Sequence, residues 1–144
     1  MSVRTDVARL ALTSLAAGEL PLMQTCFADN FVFHSQRDGK PVGRAGLPDR
    51  ALLLTCNLHD ATLSIELMME DGDLVACRWR GRAVHRGELL GVPPSGAHVE
   101  TTGITIFRFV GDLISEEWTE FDGLGLLAQI APSSRRAPAE HRVG

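Results

Sequence analysis

The side chains best suited to acid–base chemistry in this chain fall on one face of a predicted strand. Residues 113–121 (LISEEWTEF) alternate with the period of two that places successive side chains on opposite faces of a sheet. Glu117 then shares a face with Ser115 and Thr119. A carboxylate enclosed by apolar groups can exchange a proton near neutral pH, because burial disfavours its charged form. A solvated strand glutamate beside Glu116 is the competing interpretation, and the sequence leaves both open.

Histidine is the other side chain that transfers protons near neutrality, and the chain contains five. His34 follows a β-rich run, where it either faces the interior as a catalytic residue or gives that position to Phe33 and lies at an edge. His85 stands near the end of a predicted strand, where a structural role is expected. His59 and His98 lie at strand entries and support no functional interpretation.

Motifs for metal, nucleotide and nucleophilic chemistry are missing from the sequence. Cys26, Cys56 and Cys77 lie far apart and form no ligand spacing, so they are predicted to be buried free thiols. The chain contains no glycine-rich phosphate loop, no GxSxG elbow and no HExxH. Neither a metal nor a cofactor is therefore predicted.

Composition places the chain among ordinary globular proteins. It has 144 residues, 44% of them hydrophobic and 22% charged, which predicts one domain with its own core. The net charge of −4 argues against nucleic acid as a partner, because such binding needs a clustered basic face. No segment has the length of an apolar membrane span or the character of a signal peptide, so a cytoplasmic location is expected.

The elements that would position these residues follow from periodicity and turn signals. Helices are predicted over residues 5–17, 21–27 and 47–58. Strands are predicted over residues 30–35, 61–71, 73–86, 98–110 and 113–121, with a loop at 36–46. The domain is expected to span residues 1–131, and the aperiodic residues 132–144 are expected to form a disordered tail. Three helices on one side of a curved antiparallel sheet make an α+β fold whose concavity can enclose a pocket.

A group of residues in the C-terminal half carries a resemblance to a known family. The group comprises Gly87, Gly91, Pro93, Pro94, Ser95, Gly96, Arg108, Glu116, Trp118, Asp122, Gly123 and Gln129. Together with the upstream runs FADNFVFHS and DGDLVACRW, it resembles the small SnoaL-like polyketide cyclases of the NTF2-like superfamily over about residues 5–130. The resemblance implies a cone-shaped α+β fold with a ligand pocket.

The same resemblance implies roles for particular residues. In the aldol-cyclase branch the residue before the family tryptophan is the pocket acid/base, and that position is Glu117 here. The branch also places a glutamine and a histidine where this chain has Gly103 and Thr105, which counts against the standard aldol cyclisation. The residues expected to bind the substrate are Phe33, Cys77, Trp79, Thr101, Gly103, Thr105, Phe107 and Thr119. Asp122 is expected to cap a helix or form a turn.

The function implied by the resemblance is a cofactor-independent cyclase acting on an apolar polyketide-type intermediate. Aldol closure, ether formation and cycloaddition all fit, and the apolar lining favours a shape-driven cycloaddition. A non-catalytic protein that binds a hydrophobic metabolite is the alternative from another class. An epoxide hydrolase or hydroxylase of the same fold is a further alternative, although its Asp-Arg-Asp set is not apparent in the sequence.

The outer face of the predicted sheet has its own pattern. Arginines and glutamates on it are expected to pair across strands: Arg78, Arg80 and Arg82 with Glu66, Glu100 and Glu116. The last two strands also place an apolar group on this face, consisting of Ile104, Ile106, Ile114 and Trp118. That much apolar surface is unusual on a monomer, so a homodimer built on it is predicted.

Overall fold

The computed structural model of the protein describes residues 2–34 and 40–131, and for residues 52–56 it describes the backbone alone. The chain runs through helices α1 (Val3–Ala17) and α2 (Leu20–Gln24), then strands β1 (Phe27–His34) and β2 (Pro41–Gly43). A short 3₁₀ turn (Arg44–Gly46) leads into α3 (Leu47–Asn57). Four long strands follow, β3 (Leu58–Asp71), β4 (Leu74–His85), β5 (His98–Val110) and β6 (Leu113–Phe121), and then α4 (Gly123–Ile130). The predicted tail at 132–144 lies outside the described residues.

One curved six-stranded sheet forms the framework, in the order β2-β1-β6-β5-β4-β3. The pairs from β3 to β6 are antiparallel, as predicted. The expectation of a wholly antiparallel sheet is wrong at one place, because β1 pairs with β6 in parallel. The parallel pairing places β1 beside β6, and β2 then pairs with β1 in the antiparallel sense to form that edge of the sheet.

Helices α1 and α3 pack on one face of the sheet, which we call the inner face. Ala8, Ala11 and Leu12 of α1 are buried in one core with Val75 of β4 and Phe107 of β5. These three residues of α1 form a helix-spaced apolar stripe, and burial of such a stripe is what drives a short helix onto a sheet. The first helix begins earlier than predicted because Ser2 is its N-cap: the Ser2 hydroxyl accepts a hydrogen bond from the Thr5 amide.

The fourth helix was not predicted. Two glycines in the run GLGLLAQI weaken its helix propensity, so its residues carry little local signal. In the structure Asp122 caps it by accepting a hydrogen bond from the Gly125 amide at 2.9 Å, which confirms Asp122 as a helix cap. Gln129 then bonds the backbone of Glu100 at both its NH and CO, so that α4 covers a stretch of β5 beyond the end of β6.

Candidate functional site

Cross-strand register brings the predicted site residues to the inner face in neighbouring rows. Directly paired residues of adjacent strands share a face, because pairing partners point the same way out of the pleat. The three rows, each read across the sheet, are Phe33–Glu117–Phe107–Val75, Thr119–Thr105–Cys77, and Phe121–Gly103–Trp79–Ile65. Thr101 follows on the same face, opposite Gly81. All the residues expected to bind substrate therefore lie on one side of the sheet.

Glu117 is the buried carboxylate of this face. It is only 2% exposed, and both of its oxygens bond the guanidinium of Arg50, at 3.0 and 2.9 Å. The Thr119 hydroxyl donates a third hydrogen bond at 2.7 Å. Each of these described partners is a donor, and an ionised carboxylate only accepts, so the surroundings fit a charged Glu117. The interpretation as a solvated strand glutamate is wrong.

A chain of hydroxyls continues from Glu117 across the second row. Because the Thr119 hydroxyl donates to the carboxylate, its oxygen accepts the hydroxyl proton of Thr105, 2.9 Å away. Thr105 in turn accepts the indole N–H of Trp79 at 3.0 Å. Every proton in this chain points toward Glu117, and hydrogen bonds aligned in this way reinforce one another.

Gly103 leaves the space that the Trp79 ring occupies. A β-carbon at position 103 would overlap the indole, so only glycine lets the ring lie flat across β5. The absence of a side chain at Gly103 therefore places the indole N–H beside Thr105. Glycine at position 103, which departs from the aldol-cyclase pattern, therefore changes the packing of Trp79 as well as the chemistry available at this position.

The centre of the inner face is closely packed. Cys77 and Thr105 are fully buried, and Phe107 is nearly so. Burial raises the pKa of the Cys77 thiol to about 11, with the charge of Arg9 acting in the opposite sense, so this thiol is neutral at physiological pH. Burial likewise raises the pKa of Cys26. These two cysteines agree with the prediction of buried free thiols, while the side chain of Cys56 lies outside the described residues.

The accessible part of the inner face lies at its rim. Phe33, Trp79 and Thr119 are only partly buried, and the side chain of Arg50 keeps 22% of its exposure. Two depressions, of about 280 and about 320 Å³, lie elsewhere, the first beside Asp60 and Gln129 and the second on the opposite face of the sheet. The guanidinium of Arg50 therefore lies at the accessible rim of the inner face, bonded to the buried Glu117.

Arg50 is a residue of the candidate site that the sequence analysis missed. It extends from α3, and its guanidinium lies 4.0 Å from the centre of the Phe33 ring while bonding Glu117. These residues are far apart in sequence, 67 positions between Arg50 and Glu117. A charged residue inside a predicted helix is ordinarily solvated, so no local signal marks this one.

His34 lies on the other side of the sheet from Glu117. Its register partner is Trp118, and its Nε2 contacts the Glu116 carboxylate at 2.8 Å while its ring stacks on the Trp118 indole. The expectation of His34 as a pocket residue is therefore corrected, because strand alternation gives the inward position to Phe33. The sequence analysis had left that register open by one residue.

His85 is buried beneath the loop that follows β4. Its Nδ1 accepts a hydrogen bond from the Ser95 amide at 3.2 Å and lies 2.8 Å from the Ser95 hydroxyl. The backbone of His85 also bonds Ala97 and Gly96. These contacts tie the loop to the strand end, which agrees with the structural role expected of this histidine.

The outer face carries the predicted ladder of charges. Glu66 pairs with Arg78 and Arg80, and Glu100 pairs with Arg80 and Arg82. The hydrogen bond from Arg80 lowers the pKa of Glu100 below its usual range. Glu116 departs from the expectation: its partners are Arg108, at 3.1 Å, and His34.

Ile114 does not belong to the outer face, contrary to expectation. Arg108 pairs with Glu116 and Phe109 with Ile114, so β6 has one residue more than β5 at this point, Ser115. Such a bulge reverses the alternation beyond it. Ile114 is consequently fully buried in the core, while Ile104 and Ile106 remain 49% and 36% exposed.

The described residues hold no sign of two other kinds of site, a metal centre and a membrane-spanning helix. Within residues 2–34 and 40–131, no three His, Cys, Asp or Glu side chains are grouped as metal ligands. No helix in the same part of the chain is long and apolar enough to cross a membrane. Arg50 contacts Glu117 but no second carboxylate among the described residues, so an Asp-Arg-Asp arrangement is not assembled there.

Comparison with known proteins identifies what the chain is similar to. A sequence model described as "SnoaL-like polyketide cyclase" matches residues 5–130. No curated protein matches the chain. IdmH from Streptomyces antibioticus, described as a candidate polyketide cyclase, is 27% identical with a TM-score of 0.78, over 90% of this chain and 99% of that one.

Two more distant structures establish the fold alone. A SnoaL-like polyketide cyclase from Agrobacterium tumefaciens is 20% identical with a TM-score of 0.76, over 91% of this chain and 100% of that one. A protein with a ketosteroid isomerase-like fold from Catenulispora acidiphila is 15% identical with a TM-score of 0.72, over 89% and 95%. The expected NTF2-like α+β architecture is confirmed by these similarities.

Proposed function

Because this chain belongs to the SnoaL-like polyketide cyclase family, we propose that it closes a ring on an apolar polyketide-type intermediate without a cofactor. The observation that supports the proposal is the composition of the inner face. Its rows combine aromatic and aliphatic side chains with one buried carboxylate, Glu117, held by Arg50. An apolar surface with a few placed polar groups is the usual lining of a small-molecule site.

The chemistry that suits this face is closure directed mainly by shape. The positions that hold proton carriers in the aldol branch are Gly103 and Thr105, and neither supplies an imidazole. His34, the other candidate, lies on the outer face. Holding a flexible chain in its reactive fold can contribute roughly 7–11 kcal/mol when the alignment is good. A cycloaddition needs no proton transfer from the protein, so it fits these residues best.

Glu117 has a supporting role in this proposal. Its three described donors, two on Arg50 and one on Thr119, leave the carboxylate committed to orienting its neighbours. The Glu117 carboxylate fixes the orientation of the Arg50 guanidinium and of the Thr119 and Thr105 hydroxyls. General acid–base work would instead require the substrate to reach the Glu117 carboxylate, which is only 2% exposed.

The test is single-turnover kinetics with the linear intermediate of the pathway and three variants. We expect Glu117→Gln to slow ring closure about tenfold or less. Thr105→Trp and Phe107→Ala should slow it more, because they change the packing of the inner face that would shape the substrate. Melting temperatures serve as the control for folding. A loss of about 10²–10⁴-fold in Glu117→Gln alone would assign acid–base catalysis to that residue instead.

A binding protein for a hydrophobic metabolite is the second candidate. The scarcity of proton-transferring side chains on the inner face, where Gly103 and Thr105 stand and His34 is absent, favours it, because binding a metabolite needs no acid or base. The two functions differ in the fate of the linear intermediate. A binding protein would return it unchanged after prolonged incubation, whereas a cyclase would convert a molar excess.

A further inference from the structure

Arg50 stands at the rim of the inner face, between solvent and Glu117. Its side chain is 22% exposed and that of Glu117 is 3% exposed. A molecule that enters from the rim therefore meets the guanidinium before it meets the carboxylate. The position gives Arg50 first contact with whatever the site accepts.

The guanidinium is held in one orientation by two independent contacts. Glu117 engages two of its N–H groups in a bidentate pair, at 3.0 and 2.9 Å. The ring of Phe33 lies 4.0 Å below the Arg50 Cζ, which fixes the guanidinium plane through a cation–π contact. A guanidinium has five N–H donors, so Glu117 uses two of five. A planar donor held in this way is preorganised to bind an oxygen.

Charge determines which kind of oxygen fits. Arg50 and Glu117 together are neutral, so a carboxylate on the ligand would approach a cation that is already paired and would also meet the charge of Glu117. A carbonyl oxygen accepts a hydrogen bond from the guanidinium without adding a second negative charge to a buried site. The neighbouring hydroxyls of Thr119 and Thr105 are committed to Glu117 and to each other.

We propose that Arg50 is the residue that binds the substrate, through a neutral ketone, ester or amide carbonyl, and that the site selects against free acids. The proposal rests on the ring-closing function and names its substrate class: an apolar chain whose reactive segment is conjugated to a carbonyl. A hydrogen bond from a cation draws electron density from such a carbonyl and from the alkene beside it. Arg50 thereby makes the alkene a better partner for cycloaddition.

The experiment compares two probes of equal length, 2-nonanone and nonanoate. Binding is followed by tryptophan fluorescence, since Trp79 lies on the same face. We expect wild type to bind 2-nonanone more tightly than nonanoate. The double variant Arg50→Met/Glu117→Gln, which leaves no unpaired buried charge, should bind the ketone about 10–100-fold more weakly, as expected for losing a hydrogen bond from a charged donor.

A spectroscopic measurement separates binding from a merely structural role. The carbonyl stretch of bound, isotopically labelled 2-nonanone should lie at lower frequency in wild type than in the double variant, because a charged donor weakens the carbonyl bond. Arg50→Lys keeps the charge and should retain part of the shift. Tighter binding of nonanoate, unchanged ketone affinity in the double variant, or no detectable ketone binding by wild type would each overturn the proposal.

Failure of the proposed function would look different. If wild type binds the ketone with the shifted carbonyl stretch but returns the linear intermediate unchanged, ring closure is wrong and the carbonyl site stands. If ring closure proceeds at the wild-type rate in the double variant, the cyclase stands and the role of Arg50 is overturned.

Discussion

Arg50 and Glu117 illustrate how a single buried pair can both stabilise a fold and constrain its chemistry. Glu117 is nearly inaccessible, and its partners are those of an ionised carboxylate. Taking such a charge out of water is costly, and the bidentate guanidinium offsets that cost. Removing either partner alone therefore leaves the other without compensation.

This coupling predicts a non-additive stability cycle. Arg50→Met should lower the free energy of unfolding by about 3 kcal/mol, because it leaves the Glu117 charge buried and unpaired. The double variant Arg50→Met/Glu117→Leu should regain most of that loss, since apolar residues can replace a buried pair at little net cost. Urea unfolding of both single variants and the double variant measures the coupling. Additive effects would show that solvent, and not Arg50, compensates Glu117.

A second residue-scale prediction concerns the pH dependence of stability. Burial raises the pKa of the Cys77 thiol from 9.0 to about 11, so the folded state holds this proton more tightly than the unfolded state. The contribution is fully present below pH 9 and is lost as the pH rises from about 9 to about 11. We expect wild type to lose on the order of 2 kcal/mol more than Cys77→Ala across that range.

The measurement is chemical denaturation at several alkaline pH values, with Cys77→Ala as the matched control. Cys26, whose pKa burial also raises, remains in both proteins and cancels in the comparison. Parallel loss of stability in the two proteins would indicate that the Cys77 thiol is solvated in the folded state.

At the scale of elements, β5 is shaped by the close approach of the Trp79 ring to Gly103. Gly103→Ala would place a methyl group inside the indole, so the ring must move and release its hydrogen bond to Thr105. We expect a loss of about 1–3 kcal/mol in stability and a red shift of tryptophan emission. Gly81→Ala is the matched control, because its β-carbon would lie 3.7 Å from the same ring, an ordinary contact.

The two variants differ only in the space available to the new methyl group, since both glycines lie on the inner face beside Trp79. A Gly103→Ala protein as stable as Gly81→Ala, with unchanged emission, would show that the ring does not lie across position 103.

For the whole molecule, the outer face is the surface from which an assembly would be built. Ile104 and Ile106 are exposed there, and Trp118 lies among Arg108 and His34. With Ile114 in the core, three apolar residues remain of the four expected. Each large apolar side chain that becomes fully buried contributes on the order of 1.5–3 kcal/mol, which supports a homodimer through this face.

The dimer remains a prediction with a direct test. Light scattering should give twice the chain mass for wild type at micromolar concentration, and the mass of one chain or aggregates for Trp118→Glu. Leu124→Glu is the control, because this residue is 82% exposed on α4, off the outer face. A monomeric wild type would show that the apolar group on the outer face is not an interface.

Local pattern by itself determined much of this protein. Side-chain alternation with a period of two predicted the bounds of β5 (His98–Val110) and β6 (Leu113–Phe121). It also placed Glu117 and Thr119 on one face. Side-chain alternation depends only on neighbouring residues, so it can be recognised without the rest of the chain. The motif residues likewise indicated the family, and the match of the family's sequence model over residues 5–130 confirms it.

Tertiary structure decided what depends on distant partners. The parallel pairing of β1 with β6 turned Phe33 inward and His34 outward, and the bulge at Ser115 moved Ile114 into the core. Arg50 reached Glu117 only because α3 packs over the inner face. Register, bulges and contacts between residues far apart in the chain are chosen by the packing of the whole core. A local window therefore predicts which side chains share a strand face, and the folded core determines which of them meet Arg50.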